Sequence, residues 1–191
     1  MKRKRLVLLS KSTKSLPSFK KHRYILALDP SGSFYEGKGT TGWCLFDTMK
    51  NEFLICGSVY AKHYSTMEDY WNAVIDVIKL AYKYRDIIVV CEDYLLYAHK
   101  LQDQINSRME TPKLIGCIQL YCFNQNIPYY MQTAAEVKKR WADHILEHKG
   151  YTKTVDQRGR ILPTSGDYST YSHHSLDAIR HAIHYATFKN K

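Results

Sequence analysis

Apolar positions along the chain come in short blocks whose spacing switches between two periods. Residues 24–29 (YILALD), 42–47 (GWCLFD) and 52–61 (EFLICGSVYA) are brief apolar runs separated by turn residues, which predicts three successive strands in an antiparallel meander. From 65 to 84 the period lengthens. Tyr70, Trp71, Val74, Val77, Ile78 and Ala81 keep helical spacing, and Ser65 with Glu68 has the form of a capping box. Residues 86–93 (DIIVVCED) are apolar up to two acids, as in a central strand covered on both faces. After a polar segment over 94–110, Thr111 and Pro112 read as the N-cap and first position of a helix over 113–125. Residues 127–132 (IPYYMQ) predict another strand. Thr133 and Glu136 then form a second capping box, opening a helix over 134–149 that stops near Gly150. Residues 151–172 lack periodicity and read as a long loop. The last helix begins near 173, with Leu176, Ile179 and Ile183 on one face and His174, Asp177 and His181 on the other.

Three leading strands followed by strand–helix alternation predict an α/β fold, a mixed five-stranded sheet flanked by helices on both faces. This is the order of elements in the ribonuclease H-like fold. A chain of 191 residues suits one domain with a full core, here 24–191.

Charge changes the picture at the N-terminus. Residues 1–23 hold nine Lys or Arg and no acid, while the remaining 19 basic and 18 acidic residues nearly cancel, so the net +10 is concentrated in an arm. Clustered cations suit a polyanion, nucleic acid foremost, because phosphate neutralisation releases counterions. A solubilising tail and a basic transit peptide share this composition; a secretory signal does not, since "LVLL" is too short for its apolar region. No run approaches the roughly 20 apolar residues that span a membrane, so a soluble protein is expected. Cys44, Cys56, Cys91, Cys117 and Cys122 each lie in an apolar segment without metal-binding spacing, as buried small hydrophobes in a reducing compartment do.

The candidate chemistry lies in the acids. Asp29 ends the first strand, Glu92 the fourth, and Asp177 sits in the last helix. In a ribonuclease H-like sheet the first and fourth strands are neighbours and the last helix crosses them, so the three carboxylates converge. Such a cluster repels itself unless a cation neutralises it, which makes sense as a divalent-metal site, and two metals could activate a water and stabilise a leaving oxygen at a phosphodiester. His174, one turn before Asp177, would point into it. Each acid alone also fits a solvated strand end, and the polar stripe alone fits the wet side of a helix. Their joint placement carries the inference.

Here the sequence resembles the RuvC-like Holliday junction resolvases, with a divergence similar to the phage-encoded branch. "LALDPSGSFYEGKGTTGW" is similar to the family's first motif, through Asp29, Pro30, Thr41, Gly42 and Trp43; "VVCEDYLL" resembles the second, with Glu92 as its acid. "AAEVKKRW" resembles the basic helix start, and "HHSLDAIRHAIHYA" the final motif, in which an Asp or His precedes the last Asp by three residues: His174 and Asp177. The resemblance implies an endonuclease cutting branched DNA, a homodimer making paired nicks, with Asp29, Glu92, His174 and Asp177 catalytic and holding two Mg²⁺ ions, Mn²⁺ substituting. It implies a cytoplasmic location, the bacterial host's if phage-encoded.

Lys138, Lys139 and Arg140 are candidate phosphate contacts, though a solvated charged turn has the same composition. Where the family commonly places a base-contacting aromatic, three residues after Glu92, this chain has Leu95; Tyr94 or Tyr97 could substitute, and Tyr168 is a further stacking candidate. His181 could assist from behind the site or hydrogen-bond locally, and His173 is expected to be exposed. The insert over 34–39 departs from the family's turn. Competing readings are a ribonuclease H-like nuclease acting on RNA:DNA hybrids or DNA ends, and a DNA-binding protein that has lost catalysis. An actin-like ATPase would need more length and repeated phosphate loops.

Overall fold

The computed structural model describes residues 21–95, 108–155, 160–168 and 170–191. Its centre is a five-stranded sheet of β1 (Tyr24–Asp29), β2 (Thr40–Asp47), β3 (Glu52–Tyr60), β4 (Ile87–Asp93) and β5 (Tyr129–Thr133), in the order β3-β2-β1-β4-β5. The first three strands form the expected antiparallel meander, and β4 and β5 run parallel to β1. This is the ribonuclease H-like α/β architecture that the element order predicts.

Side-chain alternation divides the core in two. Leu26, Leu28, Val89 and Cys91 face α1 (Met67–Leu80) and α2 (Glu110–Asn124), which bring Tyr70, Val74, Ile78, Leu114 and Ile118. Ile25, Ala27, Ile88 and Val90 face the other way, onto α3 (Ala134–Lys138), α4 (Asp143–His148) and α5 (His173–Phe188) through Val137, Leu146, Ile179 and Ile183. Both faces are therefore covered by helices. Asp29 and Glu92 share the parity of the second set, so alternation turns both acids toward α5.

The local caps differ from several expectations. Helix α1 starts one residue late, because the Thr66 hydroxyl, not Ser65, accepts the Asp69 N–H at 3.1 Å. Helix α2 begins at Glu110, and Thr111 lies inside its first turn, with its hydroxyl taken up by the Gly32 N–H at 2.8 Å. Thr133 caps α3 through the Glu136 N–H, but the Glu136 carboxylate reaches His184 instead of closing the box. The single helix expected over 134–149 is two. The turn between them buries Trp141 alongside Val137 and then Leu146 beneath α5, a sequence of contacts one continuous helix would leave out of register, and Arg180 Nε donates to the freed Trp141 carbonyl at 3.0 Å. The expected long loop contains the hairpin β6 (Thr152–Thr154) and β7 (Ile161–Pro163), and Asp167 pairs beside Ile55 on the outer edge of β3.

Helix α5 is not half-solvated as its sequence stripe suggests. Ser175 to Ala186 is buried except for Arg180, which is partly covered, because the helix crosses β2, β1 and β4 directly. Gly42, paired with Asp29 across β1 and β2, permits this: a Cβ there would stand 2.0 Å from the His174 carbonyl carbon. A hydroxyl relay fastens the same turn. Ser172 donates to Ser58 (2.6 Å), Ser58 to Ser175 (2.8 Å) and Ser175 to the Gly57 carbonyl (2.6 Å), the only order in which each single proton is used once. Ser172 and Ser175 also form a capping box with each other's N–H groups. No helix among the described residues is long and apolar enough to cross a membrane. The cysteines are free, with Cys117 half-buried and the other four buried.

Gly42→Ala should destabilise the protein by about 3 kcal/mol, the upper range for forcing atoms into a packed site, since the obstructing atoms are backbone and cannot rotate away. Equilibrium urea unfolding checks this, with Gly116→Ala, exposed in the middle of α2 where a Cβ meets nothing within 4 Å, as the unobstructed comparison expected to gain about 1 kcal/mol from helix propensity.

Candidate active site

Parallel pairing of β1 and β4 runs through Leu28 opposite Cys91, so the next residues, Asp29 and Glu92, end neighbouring strands side by side. Across them lies the first half of α5. His174 Nδ1 is 2.6 Å from Asp29 Oδ2, and Asp177 follows one turn later, nearly buried. Asp29, Glu92, His174 and Asp177 thus gather at one end of the sheet.

Their partners show how the charges are balanced. Asp29 is buried, which pushes its carboxyl up; the His174 hydrogen bond pulls it back, the Glu92 and Asp177 charges push again, and it settles at about 6. Burial alone would lower His174, but the bond to Asp29 and the surrounding carboxylates prevail and raise it. The two groups are joined by this one hydrogen bond. Asp177 is neutralised by the protein's own cations: Lys138 Nζ lies 2.9 Å from Oδ2, and Arg180 holds Oδ1 while its other nitrogen reaches Asp143. Burial works against the Lys138 ammonium, yet Asp177 raises its pKa overall.

Glu92 has a partner of another kind. His181 is fully buried, with Nε2 2.9 Å from Glu92 Oε2 and Nδ1 2.9 Å from Gln132 Oε1. The Gln132 amide nitrogen is left unpaired in this orientation. Turning the amide over would let it donate to Nδ1 and leave Nε2–H to donate to Glu92, so that both ring nitrogens are used. Glu92 is thereby tied to β5. Gln132 drew no notice in the sequence, since nothing in an isolated strand marks a glutamine whose partner lies on a distant helix.

The donor set, three carboxylates and one imidazole, suits a hard divalent cation. Among the described residues no three His, Cys, Asp or Glu side chains form a group that could hold a metal ion, because each acid is turned to its own partner. The Asp29 carboxyl is raised first by burial and then by the Glu92 and Asp177 charges, and a bound cation would offset both.

The other candidates are more dispersed. Lys139 and Arg140 are exposed in the turn after α3, not at a helix start, and the Arg140 guanidinium lies 5.0 Å from the Phe188 ring. Tyr94 is half-buried against the α1/α2-side core, and Tyr168 is half-buried against the opposite one. Tyr97 and residues 1–20 lie outside the described residues. His173 is exposed as expected, its ring 4.1 Å from that of His174.

The shared proton makes stability depend on pH. Asp29 carries a proton in the folded state at pH values where the unfolded chain, with an ordinary pKa of 3.8, has lost it, so its contribution to stability falls as pH rises from about 4 to 6. His174, also raised when folded, loses its contribution above its ordinary 6.5, in the same direction. Without metal, the protein should lose on the order of 3 kcal/mol between pH 4 and 7.5 from Asp29, with His174 acting in the same direction. Asp29→Asn should flatten the profile in thermal scans with EDTA, and a wild-type curve that is already level would contradict the pairing.

No family model and no curated protein sequence matches the chain. Among solved structures it is similar to T. thermophilus RuvC in complex with a Holliday junction substrate, at 14% identity and a TM-score of 0.57, covering 88% of this chain and 98% of that one. That likeness shows a ribonuclease H-like fold similar in shape to RuvC.

Proposed function

We propose that this protein is a divalent-metal-dependent endonuclease that cuts branched DNA, resolving four-way junctions by paired nicks from a homodimer in a reducing cytoplasm. The reading is carried by Asp29, Glu92 and Asp177 standing within electrostatic reach of one another, with His174, at the carboxyl end of a ribonuclease H-like sheet. Its substrate class is supported by the junction carried by the T. thermophilus RuvC structure.

Asp29, Glu92, His174 and Asp177 would hold two Mg²⁺ or Mn²⁺ ions, whose chemistry is to lower the pKa of an attacking water and to offset charge on the leaving oxygen. The chain's own residues prepare for that load. Asp29 gives up the proton it shares with His174, which frees both a carboxylate and an imidazole nitrogen. Asp177 releases Lys138, whose half-exposed ammonium can then meet a phosphate, while Arg180 keeps the other oxygen in place. His181, braced by Gln132, prevents Glu92 from rotating. Lys139 and Arg140 extend the positive surface beside Lys138, Tyr94 and Tyr97 are the aromatic contacts to bases, and the basic arm adds phosphate contacts that carry no sequence information.

Asp29→Asn should abolish nicking of a synthetic four-way junction while leaving junction binding intact, because it removes charge without changing shape. Linear duplex and RNA:DNA hybrid run in parallel separate this function from other ribonuclease H-like activities; preferential cutting of either would replace the proposal. His174→Ala should cost most of the rate in both Mg²⁺ and Mn²⁺, and His174→Asp should keep activity with a shift toward Mg²⁺, since an oxygen donor replaces nitrogen. Metal titrations of the nicking rate decide both.

Removing residues 1–21 should weaken DNA binding and reduce the slope of log K against log salt by nearly one unit for each phosphate that the arm neutralises. An unchanged slope would make the arm a solvated tail.

A further inference from the structure

We propose that Tyr35 and Arg108 form a stacking platform for an unpaired nucleobase at the branch point of the DNA, a contact that rests on the function proposed above. Tyr35 lies in the insert between β1 and β2, six residues beyond Asp29, so the platform belongs to the sheet end that carries the acids. What distinguishes this insert is how firmly it is held. The Phe34 N–H donates to Glu110 Oε2 at 2.5 Å, from a glutamate only 4% exposed. Gly32 donates to Thr111 Oγ1 and lies so close to α2 that a Cβ would stand 2.3 Å from the Glu110 carbonyl carbon. The Tyr70 hydroxyl holds the Ser31 carbonyl at 2.7 Å, and the Ser33 carbonyl accepts the N–H groups of Lys38 and Gly39.

None of these anchors uses the Tyr35 ring, which stays 60% exposed, perpendicular to Phe34 at 5.6 Å. Over it, at 4.3 Å, lies the exposed Arg108 guanidinium. Arg108 and Met109 both have left-handed backbones, φ 56° and 54°, an uncommon conformation for two successive non-glycine residues. An exposed pair of this kind adds little to stability. A flat ring on a rigid support, beside a cation that can move onto a phosphate, is instead the combination that binds unpaired bases: every base offers a π-face, and arginine serves both ring and backbone.

The test uses the full chain in EDTA, where no cutting interferes, and a four-way junction with 2-aminopurine at the branch point. Wild-type protein should quench the probe. Tyr35→Ala should abolish the quench and weaken junction binding about ten-fold, with binding to a continuous duplex of equal length unchanged. Tyr35→Phe and Tyr35→Trp should retain both signals, and Arg108→Gln should weaken junction and duplex binding together and lower the salt slope by about one. Thermal midpoints equal to wild type exclude misfolding of these surface variants. An Ala variant with wild-type quench and affinity overturns the platform, as does an equal loss on junction and duplex, which would make Tyr35 a loop support. Cleavage of the same junction by wild-type protein in Mn²⁺ is the independent arm. Stacking without cleavage overturns the nuclease reading alone, and cleavage without Tyr35-dependent stacking overturns the platform alone.

Discussion

The closeness of α5 to β2 sets the geometry of everything at the carboxyl end of the sheet. At Gly42 the helix backbone occupies space that any Cβ would fill, and this approach lets His174 reach Asp29 at 2.6 Å. The hydroxyl relay through Ser58, Ser172 and Ser175 fixes the same turn against β3, so the helix start is held both by shape and by directed bonds. Further along, His181 and Arg180 make specific contacts at the distances that this first turn determines. A shift of one ångström in α5 would separate every one of them.

Around that helix, negative charge is handled in three different ways. Asp29 shares a proton with a histidine, Glu92 is held by a buried imidazole, and Asp177 is paired with two cations. Buried carboxylates left uncompensated would cost several kcal/mol each, so some arrangement of this kind is required for the fold to stand without metal. Of these compensations, the shared proton and the Lys138 contact are exchangeable, and the Arg180 contact is anchored elsewhere by Asp143 and the Trp141 carbonyl.

Much of this was legible in the sequence because it depends on periods and strand ends. Apolar runs closing in Asp29 and Glu92 marked the sheet's carboxyl edge, and the element order made their strands neighbours; the face both acids take came from the register. The His174–Asp177 spacing placed both on one side of a helix. What the sequence did not disclose depends on long-range pairing. The break between α3 and α4 follows from fitting Trp141 and Leu146 under α5, and local helical propensity across 139–142 gives no sign of it. Thr111 looks like a cap because its hydroxyl suits one, but Gly32 claims it from 79 residues away. The stripe on α5 looked solvated for the same reason: a helix crossing three strands buries its polar side as well, and only the partners reveal that.

The contact between Asp29 and His174 spans 145 residues of chain. During synthesis the sheet can begin to form from its first strands long before α5 has left the ribosome, and until it docks neither His174 nor Asp177 is available to the acids of β1 and β4. The four-residue cluster is therefore present in neither the sheet nor the helix alone, and it comes into being only when the two dock.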